Sequence, residues 1–209
     1  GNVLVMSLEN FEIISEIEVG LGNRGIGITE DGSKLVVAVK STNDLAVVDL
    51  KTEKVLKRIF IGENPEMVRV RNGKAFVTFE PAAIGGPPPK PGSDEAKALN
   101  KKREEEEEEE AKIAVVDILT GKKVGEIDGG METEGIEFSY DGTKIIVTNE
   151  ADENLSVHDI RTGALVKKID TKELGNRPRG IKRSESGRFY LATLEYGDKL
   201  LKLDENFEI

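Results

Sequence analysis

Eight charged residues stand at matching points of this chain, and they are where chemistry could occur. Arg24, Glu66, Glu134 and Arg179 each open a short apolar run. Lys40, Glu80, Glu150 and Glu195 each close the next one. Asn149 adjoins Glu150, and Asn176 and Arg177 precede Arg179. Glu66, Glu80, Glu134 and Glu150, with the Asn149 amide, are hard oxygen donors of the type that a divalent cation such as calcium accepts. Arg24, Arg177 and Arg179 offer forked donors for a carboxylate or phosphate, with Lys40 and Glu195 beside them as further ligand contacts. A third outcome is that these charges pair with one another.

Other catalytic machinery is thin. The chain has no cysteine, which excludes disulfides, thiolate metal sites and cysteine nucleophiles. The single histidine, His158 in "LSVHDI", excludes a multi-histidine metal site. Neither a Gly-x-Ser-x-Gly elbow nor a phosphate loop is present. The glycines of "GLGNRGIG" have the wrong spacing for a dinucleotide fingerprint and open a strand rather than a helix.

The elements that must position the eight residues repeat. Four turn signatures, "EDGSKLVV", "RNGKAFVT", "YDGTKIIV" and "ESGRFYLA", centre on Gly32, Gly73, Gly142 and Gly187. Each leads to an alternating run ending in an aspartate, "LAVVDL", "IAVVDI", "LSVHDI" and "LLKLDE", with Asp49, Asp117, Asp159 and Asp204. From glycine to aspartate is 17 residues in the first, third and fourth copies and 44 in the second, which therefore carries 27 extra. Each unit resolves into four short strands, as in "RGIGIT", "KLVVAVK", "DLAVVDL" and "VLKRIFIG". Asp-Gly and Asn-Gly supply the positive φ of tight turns, and the β-branched runs suit sheets packed on both faces. Because an aspartate recurs in every copy, its expected work is structural, accepting backbone N–H groups in a turn. His158 occupies the apolar slot of Val48, Val116 and Leu203, which predicts a satisfied strand histidine.

Tandem four-stranded antiparallel units of this length are the blades of an all-β propeller. The blades fall as a partial one at 1–20, full ones at 21–62, 63–130 and 131–174, and an incomplete one at 175–209. "EGIEFSYDGTKIIVTNEADENLSVHDIRTGALV" and "NRPRGIKRSESGRFYLATLEYGDKLLKLD" resemble the YVTN-type propeller repeat, over nearly the whole chain except an insertion at 81–111. The resemblance implies a ring of about seven blades, so the four and a half present are expected to be part of a larger ring; closure by a second chain is the other arrangement. It also implies an extracytoplasmic place, in the periplasm or at a cell surface. In propellers of this kind the first strands line a channel, so the eight charges converge on one rim. Gly25, Gly135 and Gly180 follow the charged residues and are expected to permit close strand approach near the ring centre. Three functions remain: a non-enzymatic scaffold or binding propeller for a protein or small molecule, a metal-assisted lactonase using the acidic rim, or a redox-cofactor propeller, since haem d1 domains use similar repeats.

The insertion holds a polyproline-type linker, "GGPPPKPG", and seven consecutive glutamates, Glu104–Glu110. Between them Ser93 is placed to cap a helix in which only Ala96 and Leu99 offer apolar contact. That predicts a solvated helix or spur, with a docking arm for a basic partner and a cation-binding tract as alternatives. The 209 residues, 37% hydrophobic with net charge −10, suit one globular unit and argue against nucleic acid, which needs clustered Lys and Arg. No apolar run is long enough to insert in a membrane as a helix.

Overall fold

The computed structural model describes residues 1–81, 89–90, 92–98, 101 and 109–209. The core of the proline-rich linker, Leu99 and most of the glutamate run lie outside the described residues. Ser93 caps a short helix as expected: its Oγ accepts from the Ala96 N–H at 3.1 Å, and residues 94–98 are helical.

The chain divides into two compact units. The first holds Gly1–Phe79 and Ile113–Glu126, and the second Glu80–Lys112 and Ile127–Ile209. In both, successive strands pair antiparallel. The strands are β1 (Asn2–Met6), β2 (Ile13–Glu18), β3 (Asn23–Ile28), β4 (Lys34–Val39), β5 (Asp44–Asp49), β6 (Lys54–Phe60), β7 (Pro65–Arg71), β8 (Lys74–Phe79) and β9 (Lys112–Asp117). They continue with β10 (Lys122–Asp128), β11 (Thr133–Phe138), β12 (Lys144–Asn149), β13 (Asn154–Asp159) and β14 (Leu165–Asp170). The last are β15 (Pro178–Arg183), β16 (Phe189–Leu194) and β17 (Lys199–Asp204). The sheets are β1–β2, β3 to β6, β7 to β10, β11 to β14, and β15 to β17, each in chain order.

The continuous apolar runs result from cover on both faces. Along β4, Leu35, Val37 and Val39 pack with Ile17 and Val19 of the first sheet's end. Val36 and Ala38 point the other way and pack with Val68, Val77 and Ala114. A strand buried on one face only would have kept polar residues at alternate positions. In the second unit Ile146, Leu155 and Val157 meet Ile181, Ala192 and Leu203 in the same manner. At roughly 1.5–3 kcal/mol per buried aliphatic side chain, this burial dominates the stability of each unit.

The turns behave as their residues require. Gly32, Gly73, Gly142 and Gly187 all have φ between 68° and 74°, a region that side chains with a Cβ avoid. Asp49 Oδ1 accepts from the N–H and hydroxyl of Thr52 at 2.7 and 2.9 Å. Asp117 does the same with Thr120, and Asp159 with Thr162. In the last sheet Asp204 takes the N–H groups of Asn206 and Glu208. These bonds favour the ionised form and hold all four carboxyls below the ordinary range.

Candidate functional site

The first strand of each four-stranded sheet slips register near its start, between Asn23 and Ile26, Pro65 and Val68, and Thr133 and Gly135. The three-stranded sheet does so between Pro178 and Ile181. Such a bulge frees a backbone N–H from the ladder and re-aims the adjacent side chain. A threonine two residues before the charged exit of the second strand supplies the missing acceptor. Thr78 Oγ1 accepts from Met67 N at 2.9 Å, Thr148 from Gly135 N at 2.8 Å, and Thr193 from Gly180 N at 2.9 Å. Thr148 also donates to the Arg179 carbonyl at 2.7 Å, tying β11 to the neighbouring sheet. These hydroxyls are not anticipated from sequence, although their recurrence before Glu80, Glu150 and Glu195 is a usable signal.

Two of the glycines expected to permit close strand approach do so. A Cβ on Gly25 would lie 2.5 Å from Val68 N, and one on Gly135 2.4 Å from the Arg179 carbonyl. Gly180 is looser, its nearest neighbour being Thr193 Oγ1 at 3.3 Å.

The bulges and close approaches bring the charged residues together unit by unit. In the first unit, Glu66 receives Arg24 Nε at 3.2 Å on one oxygen and Lys40 Nζ at 3.1 Å on the other. In the second, Arg177 Nε donates to Glu150 Oε1, and Arg177 Nη1 approaches Glu195 Oε2 at 3.2 Å. Arg179 reaches Glu195 at 3.3 Å, Glu134 at 3.6 Å and Glu150 Oε2 at 3.9 Å. Tyr196, not anticipated from sequence, accepts from Arg177 Nη1 at 2.9 Å, and the guanidinium lies 4.8 Å from its ring centroid. Arg177 holds φ at 62°, a conformation costing about 1 kcal/mol or more for a residue with a Cβ. Its contacts with Glu150, Glu195 and Tyr196 offset that cost.

The cluster has two layers. The Glu150 and Arg177 side chains are 1% and 9% exposed, whereas Arg179 and Glu195 are 45% and 43% exposed. Burial pushes the Glu150 carboxyl up from 4.5 to about 7, against the pull of Arg177 and Arg179. Its Oε2 is sealed from solvent without a hydrogen-bond partner. The nearby carboxylates raise the already high pKa values of Arg177 and Arg179 further, outweighing desolvation.

The oxygen donors expected for a cation are placed otherwise. They are divided between the units, Glu66 in the first and Glu80, Glu134 and Glu150 in the second. Asn149 is 1% exposed and spent inside its sheet. Its Oδ1 accepts from Thr133 Oγ1 at 2.9 Å, and its Nδ2 donates to Asn154 Oδ1 and Ser156 Oγ. Among the described residues no three His, Cys, Asp or Glu side chains gather so as to hold a metal ion. Of this donor set, Glu66, Glu134 and Glu150 are engaged by guanidinium or ammonium groups, and the Asn149 amide by hydroxyl and amide groups of its own sheet. His158 continues the same buried chain. With Nδ1–H donating to the Gly163 carbonyl at 3.3 Å, Nε2 accepts from the Ser156 hydroxyl at 2.9 Å. Burial lowers its pKa and favours this neutral form.

Solved structures that share the architecture include the following two. Hydrazine synthase from Kuenenia stuttgartiensis aligns with a TM-score of 0.69 at 20% identity, over 92% of this chain and 49% of that one. The β-propeller domain of Cps50 (Swd1) from Myceliophteria thermophila aligns with a TM-score of 0.63 at 13% identity, over 93% and 56%. The fold is a β-propeller. The four-stranded sheets are its blades, and this chain spans about half the length of each of these two structures. Likeness at these identities carries the fold and not the chemistry. No protein-family model matches the chain, and no curated protein sequence does. Among the described residues no helix of the propeller is long and apolar enough to cross a membrane.

Proposed function

We propose that this chain is part of a non-enzymatic, YVTN-type binding or scaffold propeller that works outside the cytoplasm. It recognises a protein or small-molecule partner with the charged starts and exits of its first and second strands. The observation that carries this reading is the layered charge cluster. A buried pair, Glu150 and Arg177, holds half-exposed Arg179 and Glu195 in fixed positions, and Glu66 holds half-exposed Arg24 in the same way. Pre-positioned guanidinium groups of this kind suit a partner's carboxylates, because little side-chain freedom is lost on binding.

Catalysis is the poorer use of the same residues. Glu150 has the poised acidity of a general acid or base, yet its second oxygen is closed to solvent, so a substrate could not reach it. His158 is committed within its blade.

The reading is tested on the full chain by following the arginine Nε–H signals in NMR during titration with succinate, and separately with calcium chloride. Saturable movement of the Arg24 and Arg179 signals with succinate, and none with calcium, is the expected result. Stationary signals with succinate would remove the reading. Calcium-dependent movement together with lactone hydrolysis lost in Glu134→Gln would replace it with the metal-assisted hydrolase.

A further inference from the structure

The second unit has another built cavity at the opposite ends of the same strands, where β11 turns into β12 and β15 into β16. It is a cleft open to solvent of about 320 Å³, within the range of small-molecule sites. Tyr140, Tyr190 and Phe207 form its apolar walls, and Lys144, Arg188 and Glu205 stand around them. The walls are fixed in place. Tyr190 is buried with its ring centroid 5.2 Å from that of Phe207. Phe207 is 6% exposed although its φ is 63°. Tyr140 lies so close over Gly187 that a Cβ there would come within 2.2 Å of the ring. Arg183 sits 5.5 Å from the centroid of Tyr140.

The charges around the cavity do not cancel through their own contacts. The Asp141 carboxylate, also in the lining, accepts from Ser139 Oγ, Thr143 N and Thr143 Oγ1, so most of its acceptor sites are used within the turn although its charge remains. Lys144 Nζ makes one hydrogen bond, to the Thr143 hydroxyl at 3.2 Å. Among the described residues the Arg188 guanidinium makes no hydrogen bond or ion pair, and neither does the Glu205 carboxylate. The formal charges of the lining therefore balance, Asp141 and Glu205 against Lys144 and Arg188, and what is left over is donor capacity: the forked guanidinium of Arg188 and two of the Lys144 N–H groups are free to take a carboxylate.

The first unit supplies an internal contrast. A cavity of the same volume lies at the equivalent turns, lined by Glu30, Lys34 and Leu119 among others. Glu30 stands there at the repeat position of Tyr140, one residue before the Asp-Gly turn. At the repeat positions of Tyr190 and Arg188 the first unit has Phe76 and Lys74, but neither lines its hollow, so the cavity with aromatic walls and a guanidinium is the one in the second unit.

We propose that this cavity binds a carboxylate carried on an aromatic or apolar body, the ring lying among Tyr140, Tyr190 and Phe207 and the anion on Arg188 and Lys144. The test uses the full chain and 4-phenylbutyrate, followed through the Arg188 Nε–H signal and through tyrosine emission, which no tryptophan obscures. Saturable binding with a Kd of about 1 mM or tighter is expected, and Arg188→Ala weakens it about tenfold. Arg188→Lys falls between, Tyr140→Glu weakens binding as Arg188→Ala does, and Arg161→Ala on an exposed turn leaves it unchanged. Glu205→Gln binds the anion as well or better. Absence of saturation, equal binding of phenethylamine, insensitivity to Arg188→Ala, or a loss with Glu205→Gln as large as with Arg188→Ala would each overturn the proposal. Because these signals belong to Arg188 and not to Arg24 or Arg179, the outcome is independent of the reading of the charged rim.

Discussion

Glu150→Gln separates the two forces acting on the buried pair. In the folded chain burial moves this carboxyl from 4.5 to about 7. A folded value above the unfolded one means that the folded state holds the proton more firmly. The associated stability is fully present below pH 4.5 and is lost as pH rises through 7. Between pH 5 and pH 8 the loss amounts to about 2.5 kcal/mol, and little solvent screening reduces it because the side chain is 1% exposed. Glutamine has the shape of the neutral acid but cannot ionise. The advantage of the variant over the parent should therefore grow by about that amount between pH 5 and pH 8. Urea unfolding at pH 5, 6, 7 and 8 measures the difference, read by tyrosine emission. All three tyrosines, Tyr140, Tyr190 and Tyr196, lie in the second unit with Glu150. A difference that stays flat with pH would refute the burial argument. A parent that gains on glutamine as pH rises would show that Arg177 and Arg179 outweigh burial and that the folded value lies below 4.5.

Two further predictions concern the repeat itself. Gly135→Ala places a Cβ 2.4 Å from the Arg179 carbonyl and should cost several kcal/mol, about 2–4, because backbone must move. Gly180→Ala meets only Thr193 Oγ1 at 3.3 Å and should cost less than about 1 kcal/mol; comparable losses in thermal unfolding would contradict the close-approach account. On the acid side, Asp31 and Asp141 sit at about 2, below the ordinary 3.8, chiefly through the hydroxyls of Thr29 and Ser139. Their contribution is present above pH 3.8 and is lost as pH falls through 2. The midpoint of urea unfolding should therefore fall between pH 4 and pH 2 in the parent, and less steeply in Asp141→Asn, where an unchanged slope would count against these turns.

What could be read from sequence was whatever the repeat imposes. The interval from turn glycine to turn aspartate marks both ends of a hairpin pair, so the strands, the sheets covered on both faces and the work of Asp49, Asp117 and Asp159 were legible before any coordinates. The position of Arg24, Lys40, Glu66, Glu134, Glu150, Arg179 and Glu195 at strand starts and exits was legible for the same reason. Their partners were not. Whether Glu66 takes a cation or Arg24 depends on a strand separation set by Gly25 and a register slip, and neither is a property of residue type. Asn149 shows the limit most plainly. Its chemistry suits a metal, but the sheet turns it inward toward Asn154 and Ser156, and a period-two pattern cannot say which face of a fully covered strand holds the polar residue.

Repeat position alone is a poor guide to function here for a related cause. Equivalent positions share a backbone environment, so they can carry opposite charges, as Arg24 and Glu66 do, and pair across neighbouring blades. Where strand starts meet within a unit, Arg24 with Glu66 and Arg179 with Glu134, the opposite charges answer first to packing, because like ones would repel at such close approach. What rises above packing is departure from the repeat. Tyr196 under Arg177, and Tyr140 with Arg188 where the first unit has Glu30 and Lys74, are features that packing does not require of every copy, and they mark where recognition should be sought.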